Sequence, residues 1–154
     1  MAARVITIRV NGIPAPQGSK RHVGKGRMVE QSKAVGPWRE AVRSEVQRVK
    51  PAVGDIENRE WMSFIHGCRV SVVFVFPRPA SHYGSGKNAG TVRQSAPHRP
   101  AVRPDLDKLV RSTLDGLVMG NALRDDAHVV SLTASKIYAD DGAEPGALIT
   151  LEAC

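Results

Sequence analysis

Cysteine is too sparse here to staple a fold. Cys68 and Cys154 are the only two in 154 residues, and their separation matches no metal-binding spacing. Both read as free thiols of a protein kept in a reducing compartment. Long apolar runs are also missing: no stretch approaches the roughly 20 residues needed to cross a bilayer. The first residues carry no secretory pattern, so the expected location is the cytoplasm, with no membrane partner. No internal repeat is visible. Acids are the minority charge, 15 against 22 Lys and Arg, for a formal net charge of +7. That balance points to polyanionic partners, nucleic acid first, bound through phosphate neutralisation and counterion release.

What is present suits one soluble domain over 1–154. Hydrophobic residues make up 42% and charged residues 24%, and a chain of this length buries roughly two thirds of its unfolded surface without a staple. Arg4 to Val10 alternates with period two and predicts a strand. From Gln17 to Lys33 the chain is basic, and Gly24-Lys25-Gly26 at its centre predicts a hairpin or loop. Gly36-Pro37 opens a helix whose stripe is Trp38, Ala41, Val42, Val46 and Val49, ended by Pro51. Residues 52–66 give no clear period, although Trp61, Phe64 and Ile65 suit a short extra helix.

Arg69 to Phe76 is the strongest strand signal, rich in β-branched and aromatic residues. Residues 78–104 follow as a long basic loop, read as a substrate-contacting segment that orders on binding or as a surface insertion. A second helix is expected over Asp107 to Val118, with Leu109, Val110, Leu114, Leu117 and Val118 on one face. Strands at His128 to Tyr138 and Ala147 to Glu152 complete the order β-α-β-α-β-β. With a hairpin expected at the end, this implies an α/β (α+β) domain: one mixed sheet carrying two main helices.

Against the basic background, Asp105, Asp107, Asp115, Asp125 and Asp126 gather around that second helix. A helix of about 12 residues spans roughly 18 Å. The two acid pairs therefore meet only if Met119 to Arg124 runs back along it, which six or seven extended residues, covering about 20 Å, can do. Three carboxylates near 4 Å apart repel by about 4 kcal/mol per pair at an effective dielectric of 20. Such a group is unfavourable unless a cation binds or some acids protonate, and oxygen donors without His or Cys point to Mg²⁺ or Mn²⁺. That ion would activate a water and offset charge on a phosphate, aided by Lys108 or Arg111. A plainer reading stands beside it: Asp107 as a helix cap and Asp125-Asp126 as a solvated turn. Spacing alone leaves both open.

The run Arg103-Pro104-Asp105-Leu106-Asp107-Lys108-Leu109, then Leu114-Asp115-Gly116-Leu117, then Asp125-Asp126-Ala127-His128-Val129-Val130, resembles the RusA family of Holliday junction resolvases. Gly12 to Lys20 is similar to the N-terminal segment of phage-borne members. The resemblance implies a homodimer that hydrolyses DNA with Mg²⁺ and nicks opposing strands of a four-way junction. It assigns the metal to Asp105, Asp107 and Asp126. It sets Arg111 where the family has an essential lysine, Lys108 in place of an asparagine and His128 in place of a glutamine. Arginine keeps the charge but is planar and bulkier, which bears on rate and metal preference more than on fold. Two-fold symmetry of a junction suits two identical sites. The expected phosphate contacts are Lys20, Arg21, Lys25, Arg27, Arg69, Lys87, Arg93 and Lys136. A non-catalytic branched-DNA-binding protein with a decayed site, and a flap or fork nuclease, are the alternatives.

Overall fold

A computed structural model describes residues 4–18, 20–22, 24–25, 28–30, 33–49, 64, 66–140 and 143–154. Arg27, Trp61 and Ile65 lie outside the described residues. The chain forms β1 (Val5–Asn11), a small hairpin of β2 (Lys20–His22) and β3 (Met28–Glu30), α1 (Val35–Val49) and β4 (Cys68–Phe76). Then come α2 (Leu106–Met119), β5 (Val129–Tyr138) and β6 (Gly146–Ala153). This is a single α+β domain with the expected element order, plus the separate hairpin in the basic segment.

The sheet runs β1-β6-β4-β5. β6 is antiparallel to both β1 and β4, while β5 lies parallel to β4 at the edge. The terminal hairpin expected from sequence is therefore not formed: β5 and β6 are consecutive but separated by β4. The reason lies in β4, whose Cys68, Val70, Val72, Phe74, Val75 and Phe76 are all buried. A strand so apolar occupies the interior of a sheet and takes a partner on each side. The last strand fills the slot between β4 and β1, where Ile8, Ile149 and Val72 align in one row and Val10, Ala147 and Phe74 in the next.

These rows join the two helices in one core. Trp38, Val42 and Val46 of α1 are buried as the stripe requires, whereas Val49 is 42% exposed because the helix ends there. α2 approaches α1 closely at two glycines. A methyl group at Gly116 would lie 2.7 Å from Val42 Cβ, and one at Gly120 2.8 Å from Val46 Cβ. Glycine in a helix interior costs about 1 kcal/mol relative to alanine; here it lets the two backbones approach within the reach of a valine. Trp38 Nε1 donates to Thr113 Oγ1 at 3.1 Å, which satisfies the one polar atom of the buried indole.

The loop over 78–104 carries its own hydrogen bonds. It contains short 3₁₀ turns at Ala80–His82 and Gly86–Asn88 and a bridge between Tyr83 and Val92. Arg93 Nε donates to the Tyr83 carbonyl at 2.8 Å, and Arg78 Nη1 to that of Pro97 at 2.8 Å. Two arginines thus hold the loop by its own carbonyls.

Candidate active site

α2 is built to present acids at its start. Asp105 is its N-cap residue, in extended conformation (φ −67°, ψ 136°), and Asp107 stands in the first turn. Negative charge at this end complements the helix dipole. An aspartate at an N-cap ordinarily accepts a backbone N–H of the first turn; the Asp105 side chain makes no such bond. It faces Lys108 instead, with Nζ 3.4 Å from Oδ2. Both side chains are about half exposed, so the pair contributes little to stability and is easily exchanged for another partner.

The segment after β1 is fastened over the same end of the helix. Ser112 Oγ donates to the Ala15 carbonyl at 2.6 Å, and Gln17 N–H to the Lys108 carbonyl at 3.0 Å. Gln17 and Gly18 consequently join Arg103, Asp105 and Lys108 around an open cleft of about 420 Å³. From the other side, Lys136 of β5 donates from Nζ to the carbonyls of Val102 at 2.7 Å and Pro104 at 2.8 Å. Those two carbonyls straddle Arg103 and lead directly into Asp105. The approach to the helix is clamped by an ammonium, which has three donors and gives two of them here.

The second acid set lies at the other end. Asp125 caps a 3₁₀ turn at Asp126–His128, its Oδ1 accepting the Ala127 N–H at 2.8 Å. That bond, together with a hydrogen bond to Asp126, holds the Asp125 carboxyl below the usual carboxylate range. Asp125 and the exposed Asp126 both line a separate cleft of about 340 Å³ with Asp115, Met119 and Arg39. Arg39 pairs with Asp115 at 3.1 Å and also donates to Gln17 Oε1, so one side chain of α1 links the two clefts.

One chain therefore does not bring Asp126 to Asp105 and Asp107. The loop after α2 does not carry Asp126 back along the helix as that meeting would require. The N–H groups of Asn121, Ala122 and Leu123 close onto the carbonyls of Val118 and Leu117, and Ala122 and Leu123 are buried. β5 makes the return instead, and reaches the start of α2 only at Lys136. Asp105 lines the cleft at the start of α2, whereas Asp126 lies beside Asp115, Val118 and Met119 toward its end. Among the described residues no three His, Cys, Asp or Glu lie close enough to hold a metal ion. Asp105 and Asp107 still fit a hard cation of the Mg²⁺ kind, which is commonly held by one or two carboxylates and otherwise by water and phosphate oxygens.

Arg111 is exposed one turn beyond Asp107, between the two acid sets. Of the expected phosphate contacts, Lys25 and Lys87 are exposed at loop tips. Lys20 and Arg21 lie on β2, paired with Glu30 and Val29 of β3. Three have partners within the chain: Arg69 with Glu152 at 3.5 Å, Arg93 with the Tyr83 carbonyl, and Lys136 as described. Sequence reasoning missed Arg39 and Gln17. Gln17 stood in the resembling N-terminal segment, whereas Arg39 carried no signal beyond an ordinary surface charge on α1.

A mixed sheet packed against two helices presents exposed acids at the start of α2 in a strongly basic chain. The sequence model of the endodeoxyribonuclease RusA family matches residues 11–152. The chain belongs to that family, and is a nuclease by descent. A search of curated proteins found no match. Among the described residues no helix is long and apolar enough to cross a membrane.

Proposed function

We propose that this chain is a Mg²⁺-dependent endonuclease, with Mn²⁺ as an acceptable substitute, that resolves four-way DNA junctions by paired nicks as a homodimer. The observation that carries the reading is the unused carboxylate of Asp105. It stands at an N-cap without capping, just after a Pro104 carbonyl held by Lys136, beside Asp107 and in a chain of charge +7. Asp105 and Asp107 would hold the cation, whose chemistry is to lower the pKa of a bound water and offset charge on the phosphate. Lys108 neutralises Asp105 in the free protein and is available to a phosphate oxygen once that pair opens. Arg111, one turn further, suits the same charge, as a planar fork and not a point ammonium.

Asp126 is the third carboxylate of this reading, and its distance from the first two gives the dimer a chemical purpose. The edge strand β5 exposes Val130 and Leu132, and Met119 is exposed at the end of α2 nearby. An uncovered strand edge with apolar side chains favours pairing with another chain. A second copy docked there is the source of additional acids for each site.

The test is a labelled four-way junction with Mg²⁺. Wild type should give paired nicks. Asp107→Asn should bind as before and cut at least about a hundredfold more slowly, since a metal's charge stabilisation is worth several kcal/mol. Normal cutting by Asp107→Asn refutes the metal assignment, and binding without product marks a non-catalytic junction binder. Preference for flaps or forks over junctions would move the substrate instead. Leu132→Asp, placed on an exposed position, should yield a folded monomer without paired nicks; a monomer that still nicks both strands removes the dimer from the mechanism.

A further inference from the structure

Behind the α2 cleft lies a second, more enclosed hollow of about 280 Å³ that the cutting reaction does not use. Its floor includes Phe76 and Tyr138, 9% and 6% exposed. Prolines wall it from three segments: Pro14 after β1, Pro77 and Pro79 after β4, and Pro100 and Pro104 before α2. Such walls are stiff, because proline fixes its own backbone angle and offers no N–H. Two large apolar side chains, Ile13 and Val102, stand at the hollow 59% and 64% exposed.

We propose that this hollow takes one unstacked nucleobase of the bound DNA, next to the phosphate that Lys108 and a cation on Asp105 and Asp107 would hold. The proposal rests on the endonuclease reading and adds to it a specificity site. Size is the first argument: the volume lies below the roughly 300–1,000 Å³ of common ligand pockets, room for one ring system and not for a run of nucleotides. Surface chemistry is the second. The walls are ring and methylene faces, against which any base can stack, and the carbonyls of Val102 and Pro104 are already taken by Lys136. One face of Tyr138 is covered by the Arg78 guanidinium, 4.5 Å from the ring centre, with His82 edge-on at 5.2 Å. The floor is thus held from behind in one orientation.

Position and charge are the third argument. Arg103 and Pro104 line both this hollow and the cleft of Asp105 and Lys108, so the two are separated by a single turn of chain. Arg103 and Lys136 at the hollow complement the phosphate that accompanies a base. Bases at a branch point are the cheapest to unstack, since pairing there is already interrupted. A base seated here would cover Ile13 and Val102, which the described residues leave open to solvent.

The experiment is a cycle between DNA and protein. A series of four-way junctions carries one abasic residue at each position within two nucleotides of the cut. Each is bound by wild type and by the Ile13→Ser, Val102→Ser double variant. Wild type should lose roughly five- to a hundredfold in affinity at one abasic position, the range measured for single base–aromatic stacks. The variant should bind the intact junction more weakly and show no further loss at that position.

A flat scan with wild type, or an equal loss in the variant, overturns the proposal. So does a variant that changes oligomeric state and binds every junction equally less well, because the hollow would then seat a second copy of the chain. If the double variant fails to fold, Val102→Ser alone carries the same comparison. Absence of any junction binding by wild type is a different failure: it defeats the endonuclease reading, and the hollow's role with it.

Discussion

Asp105 and Asp125 occupy the same kind of place. Each is the last extended residue before a helical segment, with φ −67° and ψ 136° in one and φ −156° and ψ 144° in the other. Asp125 turns its carboxylate onto the Ala127 N–H, as aspartates there commonly do. Asp105 does not cap, and its only charged neighbour among the described pairs is the exposed Lys108. The difference separates a structural acid from an available one, which residue type and spacing cannot do. Asp125 and Asp126, adjacent in sequence, line one cleft with Asp115 and Arg39, but Asp125 commits its carboxylate to the Ala127 N–H of the turn it opens.

The sharpest way to break this comparison is to change the adjacent acids one at a time. Asp126→Asn should lower junction cleavage at least about a hundredfold with the melting temperature unchanged, if it belongs to the reacting set. Asp125→Ala should do the reverse, lowering Tm slightly while cleavage stays within a few fold. Rate assays and thermal melts on the two variants decide it. Loss of cleavage in Asp125→Ala at unchanged Tm would invert the assignment.

A smaller effect is expected from the clamp that holds Asp105 in place. Lys136→Met removes two charge-assisted hydrogen bonds, each typically worth about 1.5–3 kcal/mol, though partial exposure reduces what is lost. Cleavage should fall by roughly ten- to a hundredfold, because a misplacement of about 1 Å costs that much. The Mg²⁺ concentration needed for half-maximal rate should rise with it, while junction affinity changes little. An unchanged Mg²⁺ requirement would mean that Lys136 supports the fold alone.

The smallest expected effect is on acid stability. The Asp125 carboxyl is held below its ordinary range by the Ala127 N–H and then by Asp126. A carboxyl depressed in the folded state adds stability that is fully present above its unfolded pKa and fades as pH falls through the folded value. Wild type should therefore lose stability on acidification slightly more steeply than Asp125→Ala. Melts across an acid series, in which the two curves converge at low pH, would check the sign; parallel curves would remove Asp125 from the linkage.

Much of the architecture was legible along the chain because it depends on local pattern. Period-two alternation marked β1, the β-branched run marked β4, and apolar stripes marked α1 and α2, although α1 begins at Val35, two residues before Pro37. The partner of each strand was not legible. The expected β5–β6 hairpin failed because adjacency in sequence is a weaker constraint than the need of β4 for a neighbour on both sides. The site divides in the same way. Asp105, Asp107 and Asp126 stood out as acids in a basic chain and in the resemblance to the RusA family. Arg39 was invisible, since nothing around it in sequence marks a side chain that links Gln17 to Asp115.

By itself, then, the amino-acid order determined the elements, the charge and the inventory of acids, all of which follow from neighbours within a turn or two. Only the tertiary structure decided which acids share a cleft. Ala122 and Leu123 bury behind α2 and stop its loop from running back, so β5 makes the return and meets the helix start at Lys136. That choice is set by packing between segments far apart in the chain, where no local period records it.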